Sequence, residues 1–589
     1  SIALYIRNRG FIPDEDLSNA SIPINPAPVR APREAEPIAY PPAQPVTKAR
    51  LLACIAVVAI VCILAAGRPA SLNDVIDYRI TGEEAQRIAN RYRIGTKTFT
   101  APVDAFRNWE RESQREDGGA PDGFDSVAVD YIFHHRMPVK KIVEVMETKI
   151  PAATWMVRSF TPQQKDETFT EVDPRKSRIV GYHKYQDEKR AGARLDQPQA
   201  LDIARRSFPD FGVDYTQLDL KEALSFQQPN RRDWLFHFQE RAPLTAEAFR
   251  RATVRVAGDQ VTQFTSTIKI PEQAYRDAAQ TTLLNIVLVV LRIIGGLAML
   301  SLTVAGFVVA ARKHFPWRRP ARLTAILAIV PIASAIFRWK TSLFGYDTSV
   351  GWDTFINGLV ITTITVTGVQ IGLLFLAFSA IEASFPQALD WFRHEGRARF
   401  GRSALIAAIT ATGVLAIRRI LLQLLAQAFP SIASIDGLDI PLAVDMTMPA
   451  ILDIGQAVVR AIEASAVVAL FVVSLREMPK AKKLADITAI LALFFITLEP
   501  STNAKEAPLM LLSALSAALV IWFVVRFVLR ENLLAYPIVA ALAMLLGSAA
   551  SLLQNQRSDL IVNGVVDIIA AIALIVWVAY PKYSEPQHV

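Results

Sequence analysis

The chain has 589 residues, of which 52% are hydrophobic and 20% are charged, and its formal net charge is +8. This combination excludes an ordinary soluble protein and favours a chain divided into a polar part and a lipid-embedded part. Charged residues are concentrated in 67–280, whereas 281–580 consists of apolar runs separated by short polar loops. The positive charge is explained by membrane orientation, as the loop charges below indicate, so no nucleic-acid partner is expected.

The amino-terminal segment, residues 1–50, is rich in Pro and Ala and is typical of an extended cytoplasmic tether. Residues 51–66 form the first apolar run, preceded by Lys48 and Arg50. Because the preceding region is too long for an ordinary signal peptide, this run is expected to be an uncleaved transmembrane anchor.

The polar segment 67–280 is predicted to be an α+β domain in which one unit occurs twice. Each unit begins with an amphipathic helix, at Ile80 in the first copy and after the capping residue Asp196 in the second, where Pro198 lies in the first turn. Alternating apolar residues then predict antiparallel strands. The strands are expected at 155–160, 167–172 and 178–185 in the first unit, and at 234–238, 253–256 and 261–270 in the second.

A helix packed on a three-stranded antiparallel sheet, occurring twice, resembles the tandem PepSY-type domains found outside the membrane of bacterial cells. The resemblance is carried by the Ala-x-x-Ile-Ala pattern of both helices, at Ala85–Ala89 and Ala200–Ala204, and by the hairpins that follow. It covers most of 78–270. The resemblance implies an extracytoplasmic domain that binds or inhibits peptides or proteases.

The remaining chain predicts a polytopic α-helical membrane protein with about ten spans, into which the α+β domain is inserted. Each apolar run is long enough to cross about 30 Å of hydrocarbon directly or with its flanking residues. The two shortest runs, 323–337 and 484–498, could also be re-entrant. The spans are expected at 51–66, 282–311, 323–337, 355–381, 403–425, 451–475, 484–498, 508–525, 535–553 and 559–580, with a tail at 581–589.

The basic residues of the loops predict the orientation. Fifteen Lys and Arg residues fall on one side of the predicted spans and four on the other. By the positive-inside rule, both termini lie in the cytoplasm and 67–280 lies outside it. Together with the resemblance, this predicts a multi-pass protein of the bacterial cytoplasmic membrane. The four basic residues on the outer side are Arg338, Lys340, Lys505 and Arg557.

A stripe of polar residues lies within the span 451–475. Asp453, Gln456, Arg460 and Glu463 follow the spacing i, i+3, i+7, i+10, which places them on one face of a helix. A charged side chain at bilayer depth costs roughly 2.5–3.5 kcal/mol on insertion scales, so such residues normally have partners and functions. The stripe is interpreted as an internal salt bridge that fixes helix register, or else as a membrane-embedded functional site.

The order of anchor, duplicated outer domain and multi-span domain resembles bacterial relatives of the CPBP intramembrane proteases, which include CAAX prenyl endopeptidases. Their catalytic pattern consists of three motifs on separate spans: Glu-Glu-x-x-x-Arg, Phe-x-x-x-His, and His-x-x-x-Asn or His-x-x-x-Asp. Here the first motif falls on Glu463, with Ala464 as its second carboxylate position and Val468 as its arginine position. The second has Glu499 where histidine is required, and no histidine occurs in 536–544. The catalytic motifs are therefore degenerate, and Glu463 is the one candidate catalytic residue.

The favoured function is that of a protease-like but non-catalytic membrane protein that binds a peptide or membrane-protein partner. Two alternatives are an active CPBP-type metalloprotease and a small-solute transporter that uses the polar stripe. No cofactor is expected, and zinc or another divalent metal is implied only by the protease alternative.

Overall fold

Most of the secondary structure is helical, and the strands of one antiparallel sheet follow the first apolar helix in the sequence and precede the other apolar helices. The computed structural model leaves almost all of the predicted tether 1–50 and all of the tail 581–589 outside the residues it describes. The described residues are 46–92, 99–104, 125–280, 282–313, 315–385, 388–435, 437–446, 448–476, 482–499, 504–530 and 532–580.

The helices of the described chain fall into two sets. Five short helices belong to residues 67–280, which we call the sheet region: α2 (Gly82–Tyr92), α3 (Ser126–His134), α4 (Val139–Thr148), α5 (Gln197–Ser207) and α6 (Glu272–Ala279). The helical bundle consists of α1 (Lys48–Ala66), α7 (Leu283–Lys313), α8 (Arg318–Leu327), α9 (Ile329–Ser342), α10 (Trp352–Ser384), α11 (His394–Ala428), α12 (Pro449–Arg476), α13 (Lys482–Ile496), α14 (Ala507–Phe523), α15 (Ala535–Leu553) and α16 (Ser558–Ala579).

Among the described residues, nine helical segments are long and apolar enough to cross a membrane. They include α1, α7, the consecutive α8 and α9, α10, α11, α12, α14, α15 and α16. Large apolar side chains point outward from them, and Ile361 and Ile364 of α10, for example, are 65% and 67% exposed. Soluble proteins rarely leave so much contiguous apolar surface in water, whereas lipid covers it without cost. The chain is therefore a multi-pass membrane protein.

The two shortest predicted spans have different outcomes. The prediction at 323–337 falls on α8 and α9, which together supply one candidate span, Arg318–Trp339. The prediction at 484–498 falls on α13, whose 15 residues extend about 22 Å and do not reach the length of the other nine. The structure thus gives nine candidate spans where about ten were expected.

Helix α12 packs against several other helices of the bundle, most extensively α7, α10 and α15. Its contact with α7 is unusually close at Gly306, because a Cβ atom there would overlap the carbonyl oxygen of Leu470. Ser474 also donates a hydrogen bond to the carbonyl oxygen of Leu302 across the same contact. Small residues and interhelical hydrogen bonds of this kind hold membrane helices together, since lipid provides no hydrophobic driving force.

The sheet has eight antiparallel strands in the order β1-β2-β3-β4-β8-β7-β6-β5. Each half is a four-stranded meander, and the halves meet where Tyr182 and His183 pair with Phe264 and Gln263. The expected strands are present, but β1 and β5 extend each half to four strands and the two halves share one sheet. The strands are β1 (Phe99–Asp104), β2 (Trp155–Phe160), β3 (Glu167–Asp173), β4 (Arg178–Tyr185), β5 (Leu218–Gln227), β6 (Arg232–Glu240), β7 (Phe249–Ala257) and β8 (Gln260–Lys269).

Helices α2 and α5 each pack on one half of the sheet. As the sequence predicts, Asp196 caps α5: its side chain accepts a hydrogen bond from the backbone N–H of Gln199, whose side chain accepts one in return. Aromatic side chains fill the space beneath, and the rings of Phe211 and Phe264 stack with centroids 4.0 Å apart. The hydrophobic core of the sheet region continues into the bundle through residues such as Leu438, Leu552 and Leu560, and no disulfide bond occurs among the described residues.

The sheet region rests on the loops that follow α9, α11, α13 and α15. Arg158 of β2 donates hydrogen bonds to the carbonyl oxygens of Phe344 and Tyr346 in the first of these loops. The backbone N–H of Tyr78 donates to the Asn555 side chain in the last, at 2.8 Å. His134 reaches the other two, through the Ala433 carbonyl oxygen at 3.0 Å and a Glu506 carboxylate oxygen at 3.5 Å. All four loops therefore lie on the side of the bundle that carries the sheet.

Candidate functional site

The predicted polar stripe lies on α12 and reaches from the end nearest the sheet region to the middle of the helix. Asp453 accepts a hydrogen bond from the Ser548 hydroxyl of α15 at 2.6 Å. Gln456 donates to the Ser334 hydroxyl of α9 at 2.9 Å. The stripe therefore joins α12 to two different neighbours, and its ten-residue length corresponds to about 15 Å of helix.

Arg460 and Glu463 form the predicted ion pair, with Arg460 Nη1 and Glu463 Oε2 separated by 3.0 Å. The pair is not internal, because the Arg460 side chain is 65% exposed and that of Glu463 is 30% exposed. Arg460 lies eleven residues into α12, near its midpoint. A charged pair thus faces outward from the bundle at the depth where lipid tails normally surround a spanning helix.

The surroundings of Glu463 do not supply the rest of a protease site within the described chain. Its ion-pair partner there is Arg460, and none of the described histidines lies within ion-pair distance of it. The two described pairs of histidine and carboxylate both involve the sheet region: His134 with Glu506, and His237 with Glu222. The described residues contain no group of three His, Cys, Asp or Glu side chains that could hold a metal ion.

A second carboxylate, Asp567 of α16, lies near the Asp453 end of the stripe. Its side chain is fully buried, and both of its carboxylate oxygens lack a hydrogen-bond partner among the described residues. The Ser548 hydroxyl lies near Asp567, but its proton is donated to Asp453, whose negative charge also acts on Asp567. The nearby Asn563 instead accepts a hydrogen bond from the backbone N–H of Ala450, at 3.1 Å, and so links α16 to the start of α12.

A cavity of about 440 Å³, which we call the junction cavity, lies where the sheet region meets α11 and α14. Phe133 of α3 and Leu72 contribute from the sheet region, and Arg418 and Arg419 contribute from α11. Charged side chains near the end of a membrane-spanning helix commonly extend toward lipid headgroups. Arg418 instead crosses to α14, where it donates to the carbonyl oxygen of Ser513 at 2.7 Å and to the Ser516 hydroxyl at 3.1 Å.

Carboxylates of the loop after α13 line the same junction cavity as the arginines. Glu499 attracts Arg418 electrostatically, and Glu506 lies beside His134. Burial raises the pKa of the neighbouring Asp130 to about 7, with a further rise from the charge of Glu506. The backbone N–H of Ile435 donates a hydrogen bond to Asp130 and opposes this rise. The junction cavity thus carries both positive and negative groups.

Comparison of the chain with protein-family models, with curated proteins and with solved structures finds no match. The assignment of a function therefore depends on the geometry of the chain itself.

Sequence reasoning placed the stripe but missed the contacts that extend it. Ser513 and Ser516 are spaced i, i+3 in an apolar run, which is the signal by which the partner of Arg418 could have been found. Ser548 gives no such signal, because a single serine among small residues is common in membrane helices. The junction cavity has no local sequence pattern, since four separate segments of the chain form it.

Proposed function

We propose that the chain is a non-catalytic binding protein of the bacterial cytoplasmic membrane, and that its partner is a second membrane protein docked on the polar face of α12. The observation that carries this proposal is the Arg460–Glu463 ion pair, which faces outward at the middle of the helix. A partner helix with polar side chains would cover the pair and remove it from lipid.

The Arg460 side chain can contact either lipid or a protein surface. In contact with lipid, a central arginine costs roughly 2.5–3.5 kcal/mol on insertion scales, and its ion pair offsets part of this cost. Against a protein surface, the same guanidinium can form additional hydrogen bonds at the distances of a packed interface. The adjacent Ala464 is exposed and small, so a second helix can approach the backbone closely there.

The sheet region supplies a second, extracytoplasmic surface for a partner. Its two halves each contain a helix and a four-stranded meander, which supports a duplication and the resemblance to tandem PepSY-type domains. The order of anchor, sheet region and bundle similarly supports the resemblance to CPBP proteases. In this proposal the chain retains their architecture and binds a peptide or membrane protein without hydrolysing it.

The proposed topology has ten crossings, with both termini in the cytoplasm and the sheet region outside. Helix α12 begins on the sheet side and ends on the opposite side, whereas Glu506 is again beside the sheet region. Helix α13 is the described helix between the end of α12 and Glu506. In this topology it therefore crosses the membrane back to the sheet side, although it is short. The loop charges then orient the bundle by the positive-inside rule.

Transport of a small solute or ion is the second candidate, and Asp567 favours it. A fully buried carboxylate whose oxygens lack hydrogen-bond partners among the described residues is costly unless it binds a proton or a cation. The stripe would then continue this site along α12 to the middle of that helix. An active protease, which would require a divalent metal at Glu463, has no comparable observation in its favour.

Site-specific photocrosslinking in native membranes tests the proposal. A photoreactive side chain at Ala464 is expected to give one discrete protein adduct. The matched control is Val458, which is 41% exposed on the same helix and lies about 120° away around its axis. The Ala464 adduct should disappear in the Arg460→Leu variant, provided that this variant reaches the membrane in normal amounts.

Mass analysis of the adduct separates the remaining outcomes. An adduct of one chain with another copy of itself would identify the partner as a second subunit. Adducts of equal yield from Ala464 and Val458, or lipid adducts alone, would refute docking on this face. Loss of ion or solute uptake in Asp567→Asn, with the crosslinking pattern unchanged, would instead support transport.

A further inference from the structure

The junction cavity lies apart from the polar face of α12, and its chemistry points to a ligand that this face does not bind. Its volume of about 440 Å³ lies within the range of small-molecule pockets. Its position, at the ends of α11 and α14 nearest the sheet region, corresponds to the depth of lipid headgroups on that side of the membrane.

The basic part of the junction cavity suits a phosphate group. Three interactions with Ser513 and Ser516 fix the Arg418 guanidinium, which leaves its Nη1 without a hydrogen bond among the described residues. The adjacent Arg419 has no ion pair or hydrogen bond to any described residue. Two neighbouring guanidinium groups, one of them fixed and one unengaged, can donate several charge-assisted hydrogen bonds to a phosphate.

The acidic part of the junction cavity suits an ammonium group. Glu499 and Glu506 line it from the loop after α13, and Glu506 is largely buried. These carboxylates would repel a ligand with a phosphate alone, whereas the cavity would attract both charges of a ligand that also carries an ammonium. The pairing of basic and acidic groups therefore favours a zwitterion over a simple anion.

The apolar part of the junction cavity suits acyl chains. Leu422 and Ala426 line it from α11, and Leu509 and Met510 line it from α14. These helices also face lipid. We infer that the junction cavity binds phosphoethanolamine, presented as the headgroup of a phospholipid, with the phosphate at Arg418 and Arg419 and the ammonium at Glu499 and Glu506.

The test measures lipid bound to the purified full-length chain in phosphatidylcholine nanodiscs that also contain phosphatidylethanolamine or phosphatidylglycerol. Phosphatidylethanolamine should be retained in preference to both other lipids. The Arg419→Gln variant should lower this retention about tenfold, because charge-assisted hydrogen bonds to a phosphate are lost. Glu499→Gln should reduce the preference for phosphatidylethanolamine over phosphatidylglycerol, since the ammonium contact is weakened.

The choice of variant and two controls make the outcome decisive. Arg419 makes no contact that folding requires among the described residues, so its variant separates binding from stability, which Arg418→Gln would not. Arg292→Gln removes an exposed charge from α7, outside the junction cavity, and should leave retention unchanged. Free phosphoethanolamine that competes as well as the lipid would support the headgroup chemistry and identify a soluble source.

Equal retention of all three lipids would overturn the inference, as would retention that Arg419→Gln leaves unchanged. Displacement of the lipid by peptides, without any dependence on headgroup, would assign the junction cavity to a peptide instead and would also overturn it.

Discussion

Arg158 connects the sheet region to the bundle, and its replacement should separate the two. The guanidinium forms an ion pair with Glu167 and donates hydrogen bonds to the carbonyl oxygens of Phe344 and Tyr346. The Arg158 side chain is 8% exposed and that of Glu167 is 15% exposed. Arg158→Met preserves the length of the side chain but leaves a buried carboxylate and two carbonyl oxygens without their donor.

Removing one partner of a buried, hydrogen-bonded ion pair costs about 3–5 kcal/mol. Because a factor of ten corresponds to about 1.4 kcal/mol, local opening of this contact should become at least a hundredfold more frequent. Hydrogen exchange of the full-length chain measures this opening at β2 and in the loop after α9. The double variant Arg158→Met/Glu167→Gln should show a smaller increase, because it leaves no unpaired charge.

Arg190→Met is the matched control for this experiment. Arg190 also forms an ion pair with an aspartate of the sheet region, but its side chain is 49% exposed, so the pair is worth little. Exchange in Arg158→Met that does not exceed exchange in Arg190→Met would refute the reasoning. It would mean that the contact between Arg158 and the loop does not hold the sheet region on the bundle.

Three further predictions concern packing, pH and orientation. Gly306→Leu should abolish the folded bundle, because the new Cβ would clash with the Leu470 carbonyl oxygen. Gly296→Leu is the control, since a side chain there has open space. Size-exclusion chromatography should show a single folded species for Gly296→Leu and its loss for Gly306→Leu. The raised pKa of Asp130, about 7, means that the folded state binds a proton which the unfolded state releases near pH 4. Stability should therefore fall as pH rises from about 4 to 7 and then level off, and thermal midpoints of Asp130→Asn should lose this dependence. A reporter active only outside the cytoplasm should work when inserted at 242–243 and fail at the carboxyl terminus; the reverse result would invert the topology.

The membrane character of the chain was predictable because hydrophobicity is a property of each residue and sums along a run. The sheet was predictable in part. Strands rich in β-branched and apolar residues, such as β7 and β8, were identified, whereas β5 was missed because charged residues such as Lys221 and Glu222 interrupt its apolar pattern. The union of both halves in one sheet depends on the pairing of Tyr182 with Phe264, a contact between residues far apart in sequence that no local pattern encodes.

In the candidate site, too, the residues that share a helix face could be predicted from the sequence, whereas the contacts of that face with other helices could not. The helical period placed Asp453, Gln456, Arg460 and Glu463 on one face, and the structure shows Arg460 and Glu463 paired. The period does not say which neighbours a face meets, and so the exposure of Arg460 could not be predicted. The burial of Asp567 likewise depends on the packing of α16 against the bundle, which the sequence of α16 alone does not specify.

The contact between Tyr78 and Asn555 sets a lower limit on how soon this protein can reach its final form. The two residues are 477 positions apart, so the beginning of the sheet region cannot make this bond until the last helical hairpin has been synthesised. At roughly 5–20 residues per second, translation needs on the order of half a minute to a minute and a half to cover that distance. During this interval the sheet region also lacks Leu552 and Leu560, which belong to the same hydrophobic core. The hydrophobic core of the sheet region is therefore completed only when the last two helices have been made.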